Sequence, residues 1–116
     1  MSNGFGIYVS FQQRRLIKFI FFMVKVKNVS GSSRFNCPSG YDSWLDYWEQ
    51  KTGKSAYFCS AIDCKRAGRS KLVGAHVQKV GGYDLKWYIV PLCSSCNMRT
   101  DEFYVDEPLV PVPSNL

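Results

Sequence analysis

The chain has 116 residues, and its 15 basic against nine acidic side chains give a formal net charge of +6. This length allows one small domain rather than several, and so small a core favours added stabilisation by a bound metal. The excess charge lies in residues 1–34, which hold six basic and no acidic residues, whereas residues 35–116 hold nine of each. Positive charge is typical of proteins that contact nucleic acid, but here it cannot be assigned to the C-terminal part as a whole.

Residues 1–22 differ from the rest of the chain, because they contain no acidic residue and no cysteine. The apolar run F-I-F-F-M-V is too short to span a bilayer and no signal peptide is evident, so we predict a cytoplasmic protein without membrane contact. From Met23 onward, Val24 and Val26 alternate with lysines, which predicts a half-buried strand. Two interpretations stay open: Met23 is the natural start and residues 1–22 are an extension of uncertain order, or Leu16 to Val26 form one long strand.

A loop over residues 31–38 is predicted to lead into an amphipathic helix. Ser39 is expected to cap this helix, with Asp42 three positions later completing a capping box. The helix is predicted to end at Thr52–Gly53. Its apolar face is expected in the core, with stacking on nucleobases as the alternative, and consists of Tyr41, Trp44, Leu45 and Trp48.

The C-terminal half predicts a hairpin, a helix and a tail. Residues 72–77 have the composition of a strand, residues 81–84 that of a turn, and residues 87–90 that of the returning strand. A helix is predicted to begin near Ser94 and to end at about Tyr104. The proline-rich residues 108–116 are predicted to be an extended tail.

Four of the five cysteines form two short pairs separated by 28 residues. Zinc prefers four soft ligands in a tetrahedron, and two such pairs joined by a hairpin supply them. The predicted structural zinc ligands are therefore Cys59, Cys64, Cys93 and Cys96. Disulfides are the alternative, which would require an exported chain. Cys37, beside a proline, is expected to be a buried free thiol.

Basic residues cluster directly after the first cysteine pair. The candidate nucleic-acid contacts are Lys65, Arg66, Arg69 and Lys71, to which Arg99 is added if it lies on the same face. The alternative is that this cluster is an ordinary solvated loop. The chain therefore has, in this order, a cysteine pair, a hairpin, a second cysteine pair and a helix. This order predicts a treble-clef zinc finger within a single domain over residues 23–107.

Part of the chain, from about Cys59 to Glu102, resembles the HNH nuclease superfamily. The resemblance rests on G-A-H-V, then G-G, then Y-I-V-P-L-C-S-S-C-N. Members of the family typically read Asp-His-Ile, then Gly-Gly, then Asn-Leu-x-x-Leu-Cys-x-x-Cys followed by His or Asn. The resemblance implies a small α+β fold with ββα-metal topology, built on a zinc-bound treble clef.

The resemblance also implies a catalytic site, which is incomplete in this chain. His76 matches the family's general base, and Asn97 matches a ligand of a second divalent cation, magnesium or manganese. Ala75 stands where the family has a metal-binding acid, and Tyr88 stands where it has an asparagine. Magnesium prefers several oxygen ligands, and the acids that might replace the lost one are Asp84, Asp101 and Glu102.

Three functions are therefore considered. The first is a zinc-stabilised, HNH-like domain that binds DNA or RNA with weak or no cleavage. The second is an active metal-dependent endonuclease with His76 as general base. The third is an adaptor or inhibitor, for example of phage or mobile-element origin, that binds a protein partner and uses the zinc fold as a scaffold. Outside catalysis, His76 is expected to bond backbone, to pack near the metal, or to replace one cysteine as a ligand.

Overall fold

The structure is a computed structural model that describes residues 23–31, 35–81 and 84–113. Within these residues the fold is small and mixed α+β, as predicted, and is built on one antiparallel sheet with the strand order β4-β1-β2-β3-β5. The strands are β1 Val24–Asn28, β2 Leu72–Lys79, β3 Tyr88–Cys93, β4 Phe103–Val105 and β5 Val110–Pro111. The helices are α1 Trp44–Thr52 and α2 Ser94–Asn97, with a 3-10 turn at Arg69–Lys71.

Strand β1 lies between β2 and β4, and its side chains alternate because successive residues of a strand point to opposite faces of the sheet. Val26 is fully buried, whereas its neighbour Lys27 is exposed. The two interpretations of residues 1–22, and any extension of β1 toward Leu16, lie outside the described residues.

The β2–β3 hairpin forms the centre of the sheet and is longer than predicted. Its register runs from Leu72 opposite Cys93 to Val77 opposite Tyr88. Strand β3 therefore continues through Pro91 to the second cysteine pair. Since β5 pairs only with the first two residues of β3, Pro91 lies where β3 has a strand neighbour on one side only, and its missing N–H is tolerated there.

Helix α1 begins at Trp44, and the predicted cap at Ser39 is wrong. Ser43 is the cap, because its Oγ accepts a hydrogen bond from the Asp46 N–H at 3.0 Å. The Asp46 carboxylate in turn accepts from the Asp42 N–H at 3.1 Å, so the capping pattern lies four residues later than predicted. The predicted end is confirmed: Gly53 adopts a φ of 72° and donates its N–H to Glu49 O.

Helix α1 packs against β2 and β3 through Trp44, Leu45 and Trp48, all of which are buried as predicted. Its first turn lies directly over Gly74 of β2. A Cβ at Gly74 would lie 2.4 Å from the Trp44 carbonyl carbon and 2.5 Å from the Leu45 nitrogen. The approach of helix to strand therefore requires glycine at this position.

Helix α2 has only four residues, so the predicted helix from Ser94 to about Tyr104 is wrong beyond Asn97. The side-chain amide of Asn28 donates to two backbone carbonyls at this end, Cys96 O and Arg99 O, both at 2.9 Å. These carbonyls are thereby satisfied without a further helical turn. The chain then forms β4, which pairs with β1.

The described part of the proline-rich segment, residues 108–113, is extended and packs on the sheet. Its residues 110–111 form β5, where Val110 is buried opposite Ile89. The Trp48 indole N–H donates to Pro108 O at 2.8 Å, which ties the same segment to α1. Across the described residues, none of the helices has the length and apolar character needed to cross a membrane.

Candidate metal centre and the surroundings of His76

The four predicted cysteines come together at one end of the central hairpin. Their Sγ atoms all lie within 4.8 Å of one another, and the Sγ atoms of Cys64 and Cys93 are 3.7 Å apart. Thiolates about 2.3 Å from a tetrahedral zinc would be about 3.8 Å apart, so the spacing fits a tetrathiolate site. Cys93 ends β3 and Cys96 lies in α2, whereas Cys59 and Cys64 flank a turn. All are free thiols, as is Cys37, so the disulfide alternative has no support here.

The first pair is held by a tight turn that the sequence did not reveal. Ala61 O accepts hydrogen bonds from the N–H groups of Cys64 and Lys65, at 3.0 and 3.1 Å. Lys65 adopts a left-handed φ of 57°, which costs a non-glycine residue roughly 1–2 kcal/mol. Its ammonium lies 2.7 and 2.9 Å from the two carboxylate oxygens of Asp106, so this residue orders the turn.

The electrostatics of the cluster favour a bound cation. Although burial acts in the opposite direction, hydrogen bonds from the Cys96 N–H and the Cys64 thiol lower the pKa of Cys93 to about 7. Burial raises the pKa of Cys59, and burial together with the charge of Cys59 raises that of Cys96. Four adjacent thiols cannot all ionise without a counter-charge, and a divalent metal supplies one.

His76 lies in β2, away from the cysteines, and does not belong to the described ligand cluster. It is 5% exposed, and its ring makes edge contacts with Trp44 and Trp87 at centroid distances of 4.9 and 6.0 Å. Burial lowers the pKa of His76, which favours the neutral imidazole. Its Nε2 atom is buried and has no hydrogen-bond partner in the part of the chain that the structure describes. The ring contacts described for His76 are thus made by aromatic side chains.

His76 and Asn97, the two residues that match the HNH positions, do share one depression of about 470 Å³, together with Ala75. None of the described residues that line it is a carboxylate. The three acids considered as replacements are held elsewhere. The oxygens of Asp84 accept from the Lys86 N–H and the Tyr88 hydroxyl, Asp101 pairs with Arg99, and Glu102 pairs with Lys25.

Most of the predicted nucleic-acid contacts are engaged in ion pairs. Lys65 pairs with Asp106, and Arg99 pairs with Asp63 and Asp101. The Arg69 guanidinium donates two hydrogen bonds to Glu49, at 2.8 and 3.0 Å. This contact lowers the pKa of Glu49.

Two of the predicted contacts, Arg66 and Lys71, are exposed and have no carboxylate partner among the described residues. Arg66 lies within a hairpin, and Lys71 lies just after it; in this hairpin Phe58 bridges Ala67 and the Gly68 N–H donates to Tyr57 O at 2.7 Å. Tyr57 and Phe58 are 56% and 48% exposed, and their ring centroids lie 4.7 Å apart. We call Tyr57, Phe58, Arg66 and Lys71 the knuckle surface.

Sequence reasoning did not identify Asn28, Gly74 or Glu49 as important. A glycine inside a strand pattern is a signal for close approach of another backbone, so Gly74 carried a usable clue. The roles of Asn28 and Glu49 depend on partners 68 and 20 positions away, for which a single sequence holds no signal.

Comparison of the chain with known proteins gave no match. No protein-family model matches it, no curated protein matches it, and no solved structure matches it. The resemblance to HNH nucleases therefore remains a prediction from the motifs quoted above.

Proposed function

We propose that this chain is a zinc-stabilised, HNH-like domain that binds single-stranded nucleic acid and does not cleave it. The observation that carries the proposal is the knuckle surface, where one short segment holds two exposed aromatic rings and two exposed basic residues with no described carboxylate partner. Aromatic rings stack on bases of any sequence, while basic groups attract the backbone phosphates. Both features lie on the hairpin next to the cysteine cluster or in the 3-10 turn that directly follows it.

Zinc is the metal that the ligand set favours. Four soft thiolates suit zinc better than magnesium or calcium, which require oxygen ligands. The cluster joins the turn at Cys59 and Cys64 to the end of β3, so the metal would fix the knuckle surface against the sheet. The same segment is also tied to the sheet by backbone hydrogen bonds from the Ser60 N–H to Pro91 O and from the Ile62 N–H to Tyr104 O, and by the Lys65–Asp106 ion pair.

The surroundings of His76 support binding without cleavage. Its depression holds no described carboxylate, so a catalytic cation would have Asn97 as the one family ligand present. Removing a group that stabilises charge in the transition state typically costs 10²–10³ in rate. We therefore expect no cleavage of duplex or single strand with magnesium, manganese or nickel. Cleavage by the wild type that disappears in His76→Ala would establish the endonuclease alternative.

Binding is tested with a fluorescent single strand of about 12 nucleotides, by anisotropy over a range of salt concentrations. Each lost phosphate contact lowers the salt slope by about 0.7 for a single strand, so Arg66→Gln/Lys71→Gln should lower it by about 1.4. The matched control is Lys27→Gln/Lys79→Gln, which removes the same charge from two lysines that also have no carboxylate partner among the described residues. Lys79 is eight residues along β2 from Lys71, or roughly 26 Å.

The control variant should retain the wild-type slope. Tyr57→Ala should weaken binding by about 1–3 kcal/mol if that ring stacks on a base. Equal slopes for the two double variants would show that the contact is not at the knuckle surface. Absence of binding even at low salt would refute the function and favour a protein partner on the same exposed aromatic rings.

A further inference from the structure

We infer that a second pocket, which we call the His76 pocket, binds one nucleotide, with its base among aromatic side chains and its phosphate near Lys86. The pocket has a volume of about 550 Å³ and is lined by His76, Phe35, Trp87, Lys86 and residues 111–113. This volume is typical of pockets that enclose a small molecule. If the nucleotide is part of a bound nucleic-acid strand, this inference rests on the proposed function.

The walls of the pocket suit a planar ring. Phe35 and Trp87 meet edge to face with centroids 5.4 Å apart, and Trp87 meets His76 in the same way. The Trp44 indole donates to Phe35 O at 2.9 Å, which fixes the backbone of that wall. Aromatic side chains held in this manner offer faces and edges against which a base can pack.

His76 supplies an unused hydrogen-bonding group. Its Nε2 is buried without a hydrogen-bond partner among the described residues, a condition that destabilises a folded protein and that a ligand edge reaching the ring would relieve. A neutral imidazole offers either a donor or an acceptor at this nitrogen. A nucleobase presents donors and acceptors side by side on its pairing edge, so it can match either tautomer.

Lys86 distinguishes a nucleotide from a plain aromatic ligand. Its side chain is exposed at the pocket, and none of the described carboxylates pairs with it. An unpaired ammonium beside aromatic walls matches a phosphate attached to a base. The pocket thus supplies the three features that a nucleotide requires: an aromatic wall, a hydrogen-bonding nitrogen and a cation.

The position of His76 connects this pocket to the knuckle surface. His76 also lines the depression that contains Arg69 and Ser70, which directly precede Lys71. Lys71 and His76 are five residues apart, or roughly 17 Å along β2. A strand bound at the knuckle surface therefore needs to extend only a short distance for one of its bases to reach the pocket.

The first experiment follows the three tryptophan indole N–H signals of the zinc-loaded full chain by NMR. Adenosine and uridine monophosphates are the probes, and ribose 5-phosphate is the control without a base. The Trp87 signal should move with the nucleotides and not with the control. The Trp48 signal should stay in place, because its N–H is bonded to Pro108 O.

The second experiment measures binding of the single strand to pocket variants. Trp87→Leu should weaken it roughly 5- to 150-fold if the ring stacks on a base. His76→Ala should weaken it by about 3- to 10-fold, the effect of one hydrogen bond. Lys86→Gln should weaken it more than Lys79→Gln, which removes the same charge elsewhere. Lys86 is exposed, so its variant should fold, which zinc content will check.

The outcomes separate this inference from the proposed function. A strand that binds the knuckle surface equally well in all pocket variants, with a static Trp87 signal, would overturn the inference alone. Nucleotides that move Trp87 while no strand binds would support a site for free nucleotides and overturn the proposed function. If neither strand nor nucleotide binds, both are wrong.

Discussion

The contact between Gly74 and the first turn of α1 makes a quantitative prediction. The perturbation is Gly74→Ala, which adds one methyl group to a strand residue. Its carbon would lie 2.4 Å from the Trp44 carbonyl carbon, whereas ordinary contact begins at about 3.4 Å. Both of the nearest atoms belong to the helix backbone, so no side-chain rotation can relieve the overlap. The helix must instead move by about 1 Å, or the strand must bend.

The cost follows from this geometry. Overfilling a well-packed core costs about 1–3 kcal/mol, and a backbone clash lies at the upper end of that range. We expect a loss of about 3 kcal/mol in the free energy of unfolding. For a chain of this size that corresponds to a fall in Tm of roughly 12 °C. It is a large part of the 5–15 kcal/mol that typically stabilises a domain.

The assay is urea denaturation of zinc-loaded protein, followed by tryptophan fluorescence, with zinc content measured for each variant. Gly53→Ala is the matched control, because Gly53 has a φ of 72° and nothing within 4 Å of an added Cβ. Backbone strain alone should cost the control about 1 kcal/mol. If Gly74→Ala loses no more than the control, the close packing of α1 on β2 described here is wrong.

Three further predictions concern the metal, the end of α2 and pH. Cys93→Ser should abolish uptake of one zinc per chain and unfold the domain, a loss on the order of 10 kcal/mol, whereas Cys37→Ser should keep the metal in elemental analysis. Asn28→Ala should lower the unfolding free energy measured in urea by about 1–3 kcal/mol, because Arg99 O loses the Asn28 donor and Cys96 O is left with backbone donors such as the Arg99 N–H; an unchanged midpoint would refute this capping role. Burial lowers the pKa of His76, so the native state favours its neutral form. The contribution of the neutral ring to the free energy of unfolding is therefore complete above pH about 6.5 and decreases below it, by up to about 1.4 kcal/mol per pH unit. Subtracting the unfolding free energy of His76→Gln from that of the wild type at each pH isolates this contribution. If the unfolding free energies of the two proteins change with pH at the same slope, the prediction is wrong.

Local patterns in the sequence predicted the elements that local forces determine. The alternation at Val24 and Val26 placed β1, and the spacing of the cysteines placed all four at one cluster. The start of α1 was misplaced because Ser39 and Ser43 both resemble caps. Only the hydrogen bond from the Asp46 N–H to Ser43 Oγ distinguishes them.

Long-range contacts account for the features that could not be predicted. The helix expected up to Tyr104 ends at Asn97, where an asparagine from β1 binds the last carbonyls. The basic loop looked like a continuous phosphate-binding surface, yet Lys65 and Arg69 are paired with acids 41 and 20 positions away. A single sequence does not show which acid meets which base, so the candidate site became smaller once partners were known.

The uniform burial of β3 has a consequence for how its pairing is chosen. All six of its residues are buried, so no alternation of polar and apolar side chains distinguishes one alignment with β2 from another shifted by a residue. A shift of the pairing would displace Cys93, which lies opposite Leu72, from Cys59 and Cys64, and these cysteines must come together to bind the metal. The metal would therefore stabilise one register of the β2–β3 hairpin selectively. A hairpin with a shifted register could not bring all four cysteines together, so it would not bind the metal.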